Sequence, residues 1–573
     1  MRSGVIGTGL SLLLLLVLAL TLVTPIVAVV AGGFTDGGHF TLQWFRDALD
    51  YELYRTGLWN SVWLAFYATL LCLIISIPLA LMAENFQFAG KRVWLALIQV
   101  PMILPPFVGA LGMKGILSRN GGINSVLAWL GWIDPTNPID WLNYPFWSCV
   151  VLEALYLYPI TFLNVQAALA NIDPALDEAA RNLGAGPWRR FWKITLPLMR
   201  PGIFAGSTIV FIWSFTELGT PLMVGYGDVT AVQVFRELET TNPAGDSYAL
   251  VVLLLVASVA LYMVGKMLLG RPGAAMMAKA TVASAPARPG LFGTLLVTLP
   301  FAFVFFVAFL PHIGVILASI SSTGMLEVDP DKLTLKHHTA LLGELAALGQ
   351  PGRGMAALSV LNSFKYAIIA TAIDLVLGFV IAYLAVRRRS WLTSLLDGLS
   401  MLPLAVPGLV MAFGYFALTQ GDSPVAFLNP LRNDPTPLLV IAYAVRRLPF
   451  QVRSCAAGLE QMSVALEEAS LNLGAGPVRT IWKVTIPLLT ANFIAGGLLV
   501  FSRSMLEVSD SLMLAFDQST FPLTKAIWYL AAIPQNGVET ASALGVWGMV
   551  ILIITIAGAS LALGKRLGAL FRV

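Results

Sequence analysis

The chain carries the same short polar segment twice, 290 residues apart. The first copy, EAARNLGAGPWRRFWKITLP, occupies 178–197, and the second, EASLNLGAGPVRTIWKVTIP, occupies 468–487, with 13 identities in 20 positions. Each copy combines acidic, small and basic residues, and each lies between apolar stretches long enough to cross a membrane. Because the surrounding halves have diverged further, we expect this segment to contact a partner and not only to join two helices.

Each copy has residues typical of the two ends of a short helix. Asp173 and Ser463 stand at N-cap positions, and Gly184 and Gly474 stand where a C-cap glycine would end the helix. The intervening pattern is amphipathic, with small alanines that let another surface come close. An alternative is a helix lying on the membrane surface, with its Arg and Trp side chains at the lipid headgroups.

The composition identifies an integral membrane protein. The chain is 57% apolar and only 12% charged, with a mean hydropathy of +0.80, whereas soluble domains average about 25% charged residues. The net charge of +4 is explained by membrane topology and gives no reason to invoke nucleic acid. Cys72, Cys149 and Cys455 stand singly in apolar segments, so neither a disulfide framework nor a metal-ligand spacing is present.

Apolar runs long enough to span the bilayer predict an all-α membrane fold with about twelve transmembrane helices. They lie near 10–31, 60–83, 93–117, 146–170, 203–224 and 247–269, and again near 292–320, 361–386, 395–419, 436–459, 492–515 and 543–564. Lys and Arg concentrate in alternate loops, which predicts that both termini are cytoplasmic. A cleaved signal peptide is the alternative for the first run, but that run is long for one and its loss would break the symmetry.

The two sets of six spans are parallel repeats. Asn60-Ser61 matches Asn362-Ser363 at an offset of 302, and the offset is 290 from the loop onward. We predict a first six-span repeat over 1–270 with its polar loop at 171–201, and a second over 291–573 with its loop at 461–491. The Ala-, Pro- and Gly-rich segment 271–290 is expected to be a flexible cytoplasmic linker.

The repeated segment resembles the EAA signature of the membrane subunits of ATP-binding-cassette importers. Glu-Ala-Ala, three residues, Gly, nine residues and a final Ile-Thr-Leu-Pro match it fully in the first half, and the second half keeps the spacing with mild replacements. In that family the loop forms a coupling helix that docks on the ATPase. The resemblance gives the coupling role to Glu178, Ala179, Ala180, Gly184, Glu468, Ala469, Ser470 and Gly474.

The resemblance implies a type I importer fold, alternating access, and a permease without enzymatic activity of its own. No GK[ST] tripeptide occurs, so the phosphate-binding loop for ATP is missing, and ATP and magnesium would be bound by two copies of a separate ATPase subunit. An extracytoplasmic solute-binding protein would deliver the substrate to this bacterial inner-membrane chain. The fused arrangement favours ferric iron, with thiamine, polyamine and phosphonate as alternatives.

Charged residues within the predicted spans mark a candidate pathway. Glu217 and Glu507 occupy matching positions, and each carboxylate would cost roughly 2.5–3.5 kcal/mol at a helix centre unless it is hydrated or paired. Their candidate companions are Arg446, Arg447, Arg503 and Asp510. These groups either line a translocation path or hold helices together by buried ion pairs.

Two further features have open roles. Pro101, Pro105, Pro403 and Pro407 break the third and ninth spans at matching positions, which indicates a hinge, a pathway or a packing kink. His337 and His338 could suggest a metal, but adjacent residues do not face one site, so we expect a solvated outer loop. An ion-coupled secondary transporter would leave the repeated loop unexplained, and a membrane scaffold would predict no matched polar pair at membrane depth.

Overall fold

The computed structural model describes residues 2–103, 106–119, 121–239, 245–269, 286–322, 332–346, 354–534 and 536–563. Within these residues the first half contains α1 (Arg2–Leu18), α2 (Thr24–Phe34), α3 (Gln43–Asp50), α4 (Glu52–Asn85), α5 (Lys91–Leu97), α6 (Pro106–Leu117), α7 (Gly122–Trp129), α8 (Pro145–Ala170), α9 (Pro174–Asn182), α10 (Pro187–Arg190), α11 (Leu196–Phe215), α12 (Gly219–Val224), α13 (Thr230–Glu239) and α14 (Gly245–Leu269). A two-stranded hairpin, β1 (Thr35–Asp36) and β2 (His39–Phe40), follows α2.

The second half repeats this order. It contains α15 (Leu291–Ser319), α16 (Lys336–Ala346), α17 (Met355–Arg387), α18 (Trp391–Met401), α19 (Gly408–Leu418), α20 (Thr436–Gln461), α21 (Val464–Asn472), α22 (Pro477–Thr480), α23 (Ile486–Leu488), α24 (Thr490–Met505), α25 (Ser509–Leu514), α26 (Leu523–Ala531) and α27 (Gly537–Leu563). Short π-helical turns, at Phe191–Thr195 and Ile481–Thr485, precede α11 and α23 at matching positions.

The predicted all-α membrane fold is confirmed. Seven of the described helices are long and apolar enough to cross a membrane, and three bent helix pairs bring the number to ten. The other two predicted spans coincide with α14, whose apolar part is the shorter Gly245–Leu261, and with α20, which carries Arg446, Arg447 and Arg453. The charges of α20 therefore set it apart from an ordinary lipid-facing span.

Helices α8 and α20 show how closely the halves correspond. Each has 26 residues and a proline in its first turn, where a missing N–H costs no hydrogen bond. Each also has an internal proline, Pro159 or Pro449, and these are 290 residues apart. Counterparts in α8 and α20 are therefore related by the same offset as the repeated loops.

The third span of each half is bent at its prolines. The bend is 91° between Lys91–Met102 and Pro106–Trp129, and 102° between Trp391–Leu404 and Gly408–Leu418. Pro101 lies in the 3₁₀ turn Val100–Ile103, Pro403 lies in the turn Leu402–Leu404, and Pro407 precedes α19. Pro105 lies outside the described residues. Proline removes a backbone donor and clashes with the preceding turn, which explains the breaks.

The first span of each half packs against the bent third span of the other half. In the first of these crossings α2 contacts α19, and in the second α15 contacts α6. Gly414 lies against the backbone of Pro25, Gly112 lies against that of Pro311, and a side chain at either glycine would collide with it. The halves are thus interlocked by two equivalent helix crossings.

One expectation about a polar segment is wrong. His337 and His338 are not in a solvated loop: they lie on α16, where His337 is buried with Nε2 3.1 Å from the Ser321 carbonyl oxygen. His338 is bonded to Ser319 and accepts from Trp547. These hydrogen bonds make both histidines structural, and no group of three metal-ligating side chains occurs in the described parts of the chain.

The end of the predicted linker is held by backbone hydrogen bonds. Ala287 donates to the carbonyl of Asn85 and accepts from the amide of Gln87, both at 2.9 Å. Residues 270–285 lie outside the described part of the chain. The segment around Ala287 is therefore attached to the end of α4, and the flexible linker over 271–290 stays a prediction.

Candidate functional site

A cavity of about 130 Å³ lies between the two halves. The first half contributes residues from α8 and from the end of α11, and the second half contributes residues from α20 and α24 and from the bend between α18 and α19. Its lining consists of Pro106, Tyr156, Leu157, Ile212, Trp213, Thr216, Glu217, Pro403, Leu404, Val406, Pro407, Gly408, Arg446, Arg447, Phe450, Arg503, Leu506, Glu507, Val508 and Ser509. Matching positions of both repeats therefore meet around one cavity.

Glu507 is the centre of an ion-pair network on the second-half wall. It is only 3% exposed, and its carboxylate pairs with Arg446 at 2.7 Å and with Arg447. Arg446 also lies 3.5 Å from Asp510, which is buried behind the wall and does not line the cavity. A buried carboxylate is tolerated when it is paired and hydrogen-bonded, and Glu507 satisfies that condition.

Glu217, the counterpart of Glu507, has different partners. Its Oε1 accepts hydrogen bonds from the backbone amides of Gly219 at 3.1 Å and Thr220 at 3.3 Å. Within the described residues no cationic nitrogen lies within 4 Å of it. The two glutamates thus share a position in the repeat but differ in how their charge is balanced.

Arg503 faces an aromatic wall contributed by the first half. It donates a hydrogen bond to the Tyr156 hydroxyl at 3.0 Å, and its guanidinium lies 5.0 Å from the centre of the Trp213 ring. Tyr156 and Trp213 are the counterparts of Arg446 and Arg503 at the offset of 290. All three cavity arginines therefore belong to the second half.

The predicted pathway residues are brought together almost completely. Glu217, Glu507, Arg446, Arg447 and Arg503 all line the cavity, as do Pro403 and Pro407. Pro101 lines a separate small apolar pocket. Sequence reasoning missed Tyr156 and Trp213, although the offset of 290 places each of them opposite an arginine and could have identified them.

The repeated loops form the predicted short helices, α9 and α21. Asp173 caps α9 by accepting from the amide of Ala175 at 2.9 Å, whereas Ser463 takes the N-cap position of α21 without a side-chain cap bond. Gly184 and Gly474 follow the helices with φ of +79° and +87°. L-residues with a side chain rarely adopt this conformation, so glycine is required at both helix ends.

The motif residues of both loops are accessible. Glu178, Ala179 and Gly184 are exposed, as are Glu468, Ala469 and Gly474, while Ala180 and Ser470 are half-buried. Leu183 is 89% exposed and Leu473 is 90% exposed, immediately before the two glycines. Each motif thus has an exposed leucine beside it at a matching position; sequence reasoning missed both residues.

The two loops are attached to the rest of the chain differently. In the first, Asp177 pairs with Arg190 inside the loop. In the second, the counterpart Glu467 is buried, pairs with Arg387 of α17 at 3.0 Å and accepts from Thr485 at 2.7 Å. The second loop is therefore tied to a long helix, whereas the first is tied to its own return segment.

Two interlocked helical repeats around a charged cavity, with a rigid exposed loop in each, define a membrane permease. The chain matches the family described as "binding-protein-dependent transport system inner membrane component" over residues 76–271 and again over 374–569, and it belongs to this family. Its resemblance to the membrane subunits of ATP-binding-cassette importers is thereby confirmed. Family membership favours an importer over an ion-coupled transporter or a scaffold.

Among curated proteins, the chain is similar to the ferric transport system permease protein FbpB of Actinobacillus pleuropneumoniae. The two are 29% identical over 514 residues, which cover 88% of this chain and 71% of the relative. A putative ferric transport system permease protein FbpB 1 of Haemophilus influenzae is 28% identical, over 88% of this chain and 77% of the relative. The spermidine/putrescine permease PotB of Escherichia coli is 34% identical over 174 residues, 30% of this chain and 62% of the relative.

The chain is accordingly a multi-span permease of a bacterial inner-membrane transport system. Members of this family are inner-membrane components of binding-protein-dependent transport systems, so the chain is the transport subunit of such a system. Two copies of the family domain in one chain show that two permease units are fused.

Proposed function

We propose that the chain is the fused permease of an ATP-driven importer of ferric iron. The observation that carries the substrate is the extent of the similarity: two permeases named for ferric transport align over 88% of this chain, which takes in both halves. The similarity to the spermidine/putrescine permease covers 30% of the chain, the length of part of one half. A fused ferric permease therefore accounts for more of this chain than the spermidine/putrescine permease does.

In this proposal the cavity is the translocation path. Glu217, Glu507, Arg446, Arg447 and Arg503 present charge to the solute, and Asp510 holds Arg446 in place from behind the wall. Because these groups come from both halves, a relative movement of the halves changes the distances between them. During alternating access these charged side chains would then exchange ion-pair partners, and the bends at Pro101, Pro403 and Pro407 would act as hinges.

The repeated loops are the proposed joints to the ATPase. The helices α9 and α21 are terminated by Gly184 and Gly474, and each presents Glu, Ala and an exposed leucine to a partner. Because there are two equivalent loops, we expect two copies of the ATPase subunit, one on each loop, on the cytoplasmic side together with both termini. ATP and magnesium would be bound by those subunits, and no cofactor by this chain. The solute-binding protein would dock on the opposite face of the membrane.

The test is uptake of radiolabelled ferric iron and ATP hydrolysis in proteoliposomes that contain this chain, its ATPase and its binding protein. Replacing Gly184 and Gly474 by leucine should abolish uptake while leaving the chain in the membrane, because leucine at positive φ is strained by roughly 1–2 kcal/mol per residue and would distort both loops. Gly131 and Gly421 provide the matched control. They also have positive φ, also lie in open space and are also 290 residues apart, but they lie outside the repeated loops.

ATP-dependent iron uptake that survives the Gly131 and Gly421 substitutions but not the Gly184 and Gly474 substitutions would support the proposal. Uptake of spermidine, thiamine or a phosphonate in place of iron would support the permease role and contradict the proposed substrate. Uptake driven by a proton gradient without the ATPase would overturn the coupling role of the loops.

A further inference from the structure

The pseudo-twofold axis of the fold can be located from residues that contact their own counterparts. A residue lies at a twofold axis when it touches the residue at the same position of the other repeat. Trp213 and Arg503, 290 residues apart, form such a pair inside the cavity. The axis therefore passes through the cavity between these two side chains.

A second pair of counterparts meets outside the cavity. Ser61 and Ser363 are counterparts at the offset of 302, and their hydroxyls accept from the amides of Thr230 at 3.0 Å and Leu523 at 2.7 Å. Thr230 and Leu523 are thus equivalent, with an offset of 293 for α13 and α26. At the same offset of 293, Phe235 is the counterpart of Trp528. These two rings are in edge-to-face contact, with centroids 5.5 Å apart and an interplanar angle of 89°.

This aromatic pair lies on the side of the cavity away from the repeated loops. Each loop precedes the span α11 or α24, whereas α13 and α26 follow the same span. A chain that crosses the membrane between two segments places them on opposite faces. Phe235, at 2% exposure, and Trp528 therefore meet on the axis on the outer side of the cavity, beyond the residues that line it.

Lys525 adds a charge to this contact. It is 7% exposed, and its Nζ lies 4.7 Å from the centre of the Trp528 ring and 5.5 Å from that of Phe235. Nζ also donates to the Leu512 carbonyl at 2.9 Å. One ammonium therefore contacts both axial rings and the end of α25.

The helix that carries Lys525 is also bonded to the cavity wall. Thr524 donates to the carbonyl of Glu507 at 2.5 Å, next to the Lys525 bond to Leu512. At the offset of 293 the first-half counterparts of Thr524 and Lys525 are Ala231 and Val232, which have no side-chain donor. The connection between the axial contact and the ion-pair network is thus a property of the second half.

We propose that Phe235, Trp528 and Lys525 form the outer gate of the path, with Lys525 positioning the two rings and linking them to the Glu507 network. The proposal rests on the cavity being the translocation path. When the outer end opens, the halves separate at the axis, so the ring contact must break and the ammonium must leave one ring. Because the attraction of a cation to an aromatic ring is stronger when both are shielded from water, Lys525 favours the closed arrangement.

The gate can be tested by access to the cavity from the outer face. Thr216 lines the cavity, and Thr216→Cys supplies a reporter thiol, whereas Cys72, Cys149 and Cys455 are buried. The full transporter in spheroplasts would be treated with a small membrane-impermeant methanethiosulfonate, and the labelling rate measured against the same chain without the reporter. In the resting state the reporter should react slowly.

Three variants test whether the charge of Lys525, and its place beside the two rings, keep the reporter inaccessible. Lys525→Met should raise the labelling rate at least about tenfold, as expected when a shielded cation–ring attraction and a hydrogen bond to it are lost. Lys525→Arg should keep the slow rate, because arginine also stacks on aromatic rings. Combining Lys525→Val with Val232→Lys moves the ammonium to the equivalent place in the first half, where it meets the same two rings, and should restore the slow rate.

Lys365 supplies the matched control. Its Nζ lies 5.8 Å from the centre of the Tyr366 ring, on an adjacent residue of the same helix and away from the axis, so Lys365→Met should leave labelling unchanged. A wild-type rate in Lys525→Met, or equal acceleration in Lys365→Met, would overturn the gate. Labelling requires neither iron nor ATP, so this outcome is independent of whether the substrate proposal holds.

Discussion

Arg503 lies over the ring of Trp213 at 5.0 Å, and the two residues occupy the same position in the two halves of the chain. The repeat has thus placed a cation and an aromatic ring at equivalent sites that face each other across the pseudo-twofold axis. The cavity is therefore chemically asymmetric although its backbone is repeated. One wall carries the arginines, and the other carries the rings.

This pairing predicts the effect of exchanging the two side chains. Arg503→Gln should lower the rate of iron uptake by about fivefold to thirtyfold, since a partly shielded cation–ring contact contributes about 1–2 kcal/mol. The exchange Trp213→Arg with Arg503→Trp should not recover the loss, because the counterpart of the acceptor Tyr156 is Arg446, so the new arginine would meet a like charge. Initial uptake rates in proteoliposomes measure both effects. Arg453→Gln, which alters an exposed arginine 3.7 Å from Asp397, is the control and should transport normally.

The counterparts Glu217 and Glu507 should differ in their effect on stability. Glu507→Gln leaves Arg447 without its carboxylate partner and Arg446 with Asp510 alone in a buried setting, and losing one member of a buried pair costs about 3–5 kcal/mol. Glu217→Gln should cost less than about 2 kcal/mol, because an amide oxygen still accepts from Gly219 and Thr220. Thermal unfolding in detergent should therefore show a much larger decrease in melting temperature for Glu507→Gln. Equal decreases would contradict the difference in pairing.

Much of the architecture could be predicted because membrane spans and repeats leave strong signals in sequence. Runs of apolar residues give the spans, and Pro403 and Pro407 mark a bend that the structure confirms. The partners of the charged residues could not be predicted in the same way. Glu217 and Glu507 are identical in sequence position, but whether an arginine or a backbone amide balances each charge depends on which helix faces it.

The expectation of a solvated histidine pair failed for a physical reason. His337 and His338 stand in a polar stretch, so sequence predicts solvation, yet α16 packs against α27 and His337 is buried. Contacts between residues distant in sequence decided this case. Ser463 does take the predicted N-cap position, although its hydroxyl makes no cap bond. The exposure of Leu183 and Leu473 also could not be predicted, because the sequence does not show whether a leucine side chain faces the core or the solvent.

The different attachment of the two loops predicts unequal effects of removing one carboxylate from each. Glu467→Ala leaves Arg387 largely buried without its partner, which costs about 3 kcal/mol, and frees α21 from α17. Asp177→Ala removes a half-exposed pair, whose contribution is about 0–1 kcal/mol. We expect Glu467→Ala to retain ATP hydrolysis while losing most iron uptake, and Asp177→Ala to keep both. Parallel measurement of hydrolysis and uptake decides the matter, and a matching loss in the two variants would argue against the tether to α17.

The exposed leucines should decide whether the ATPase binds. Leu183→Asp or Leu473→Asp places a charge where a leucine side chain is about nine-tenths exposed, so the isolated chain should fold normally, whereas burial of that charge at an interface would be costly. Each single variant should weaken co-purification of the ATPase, and the double variant should abolish it. Leu42→Asp makes the same chemical change at an exposed leucine before α3. We expect Leu42 to lie on the opposite face of the membrane from the loops, so this variant should leave the complex intact. Undiminished ATPase binding by the double variant would show that the partner contacts the loops elsewhere, through the motif helices themselves.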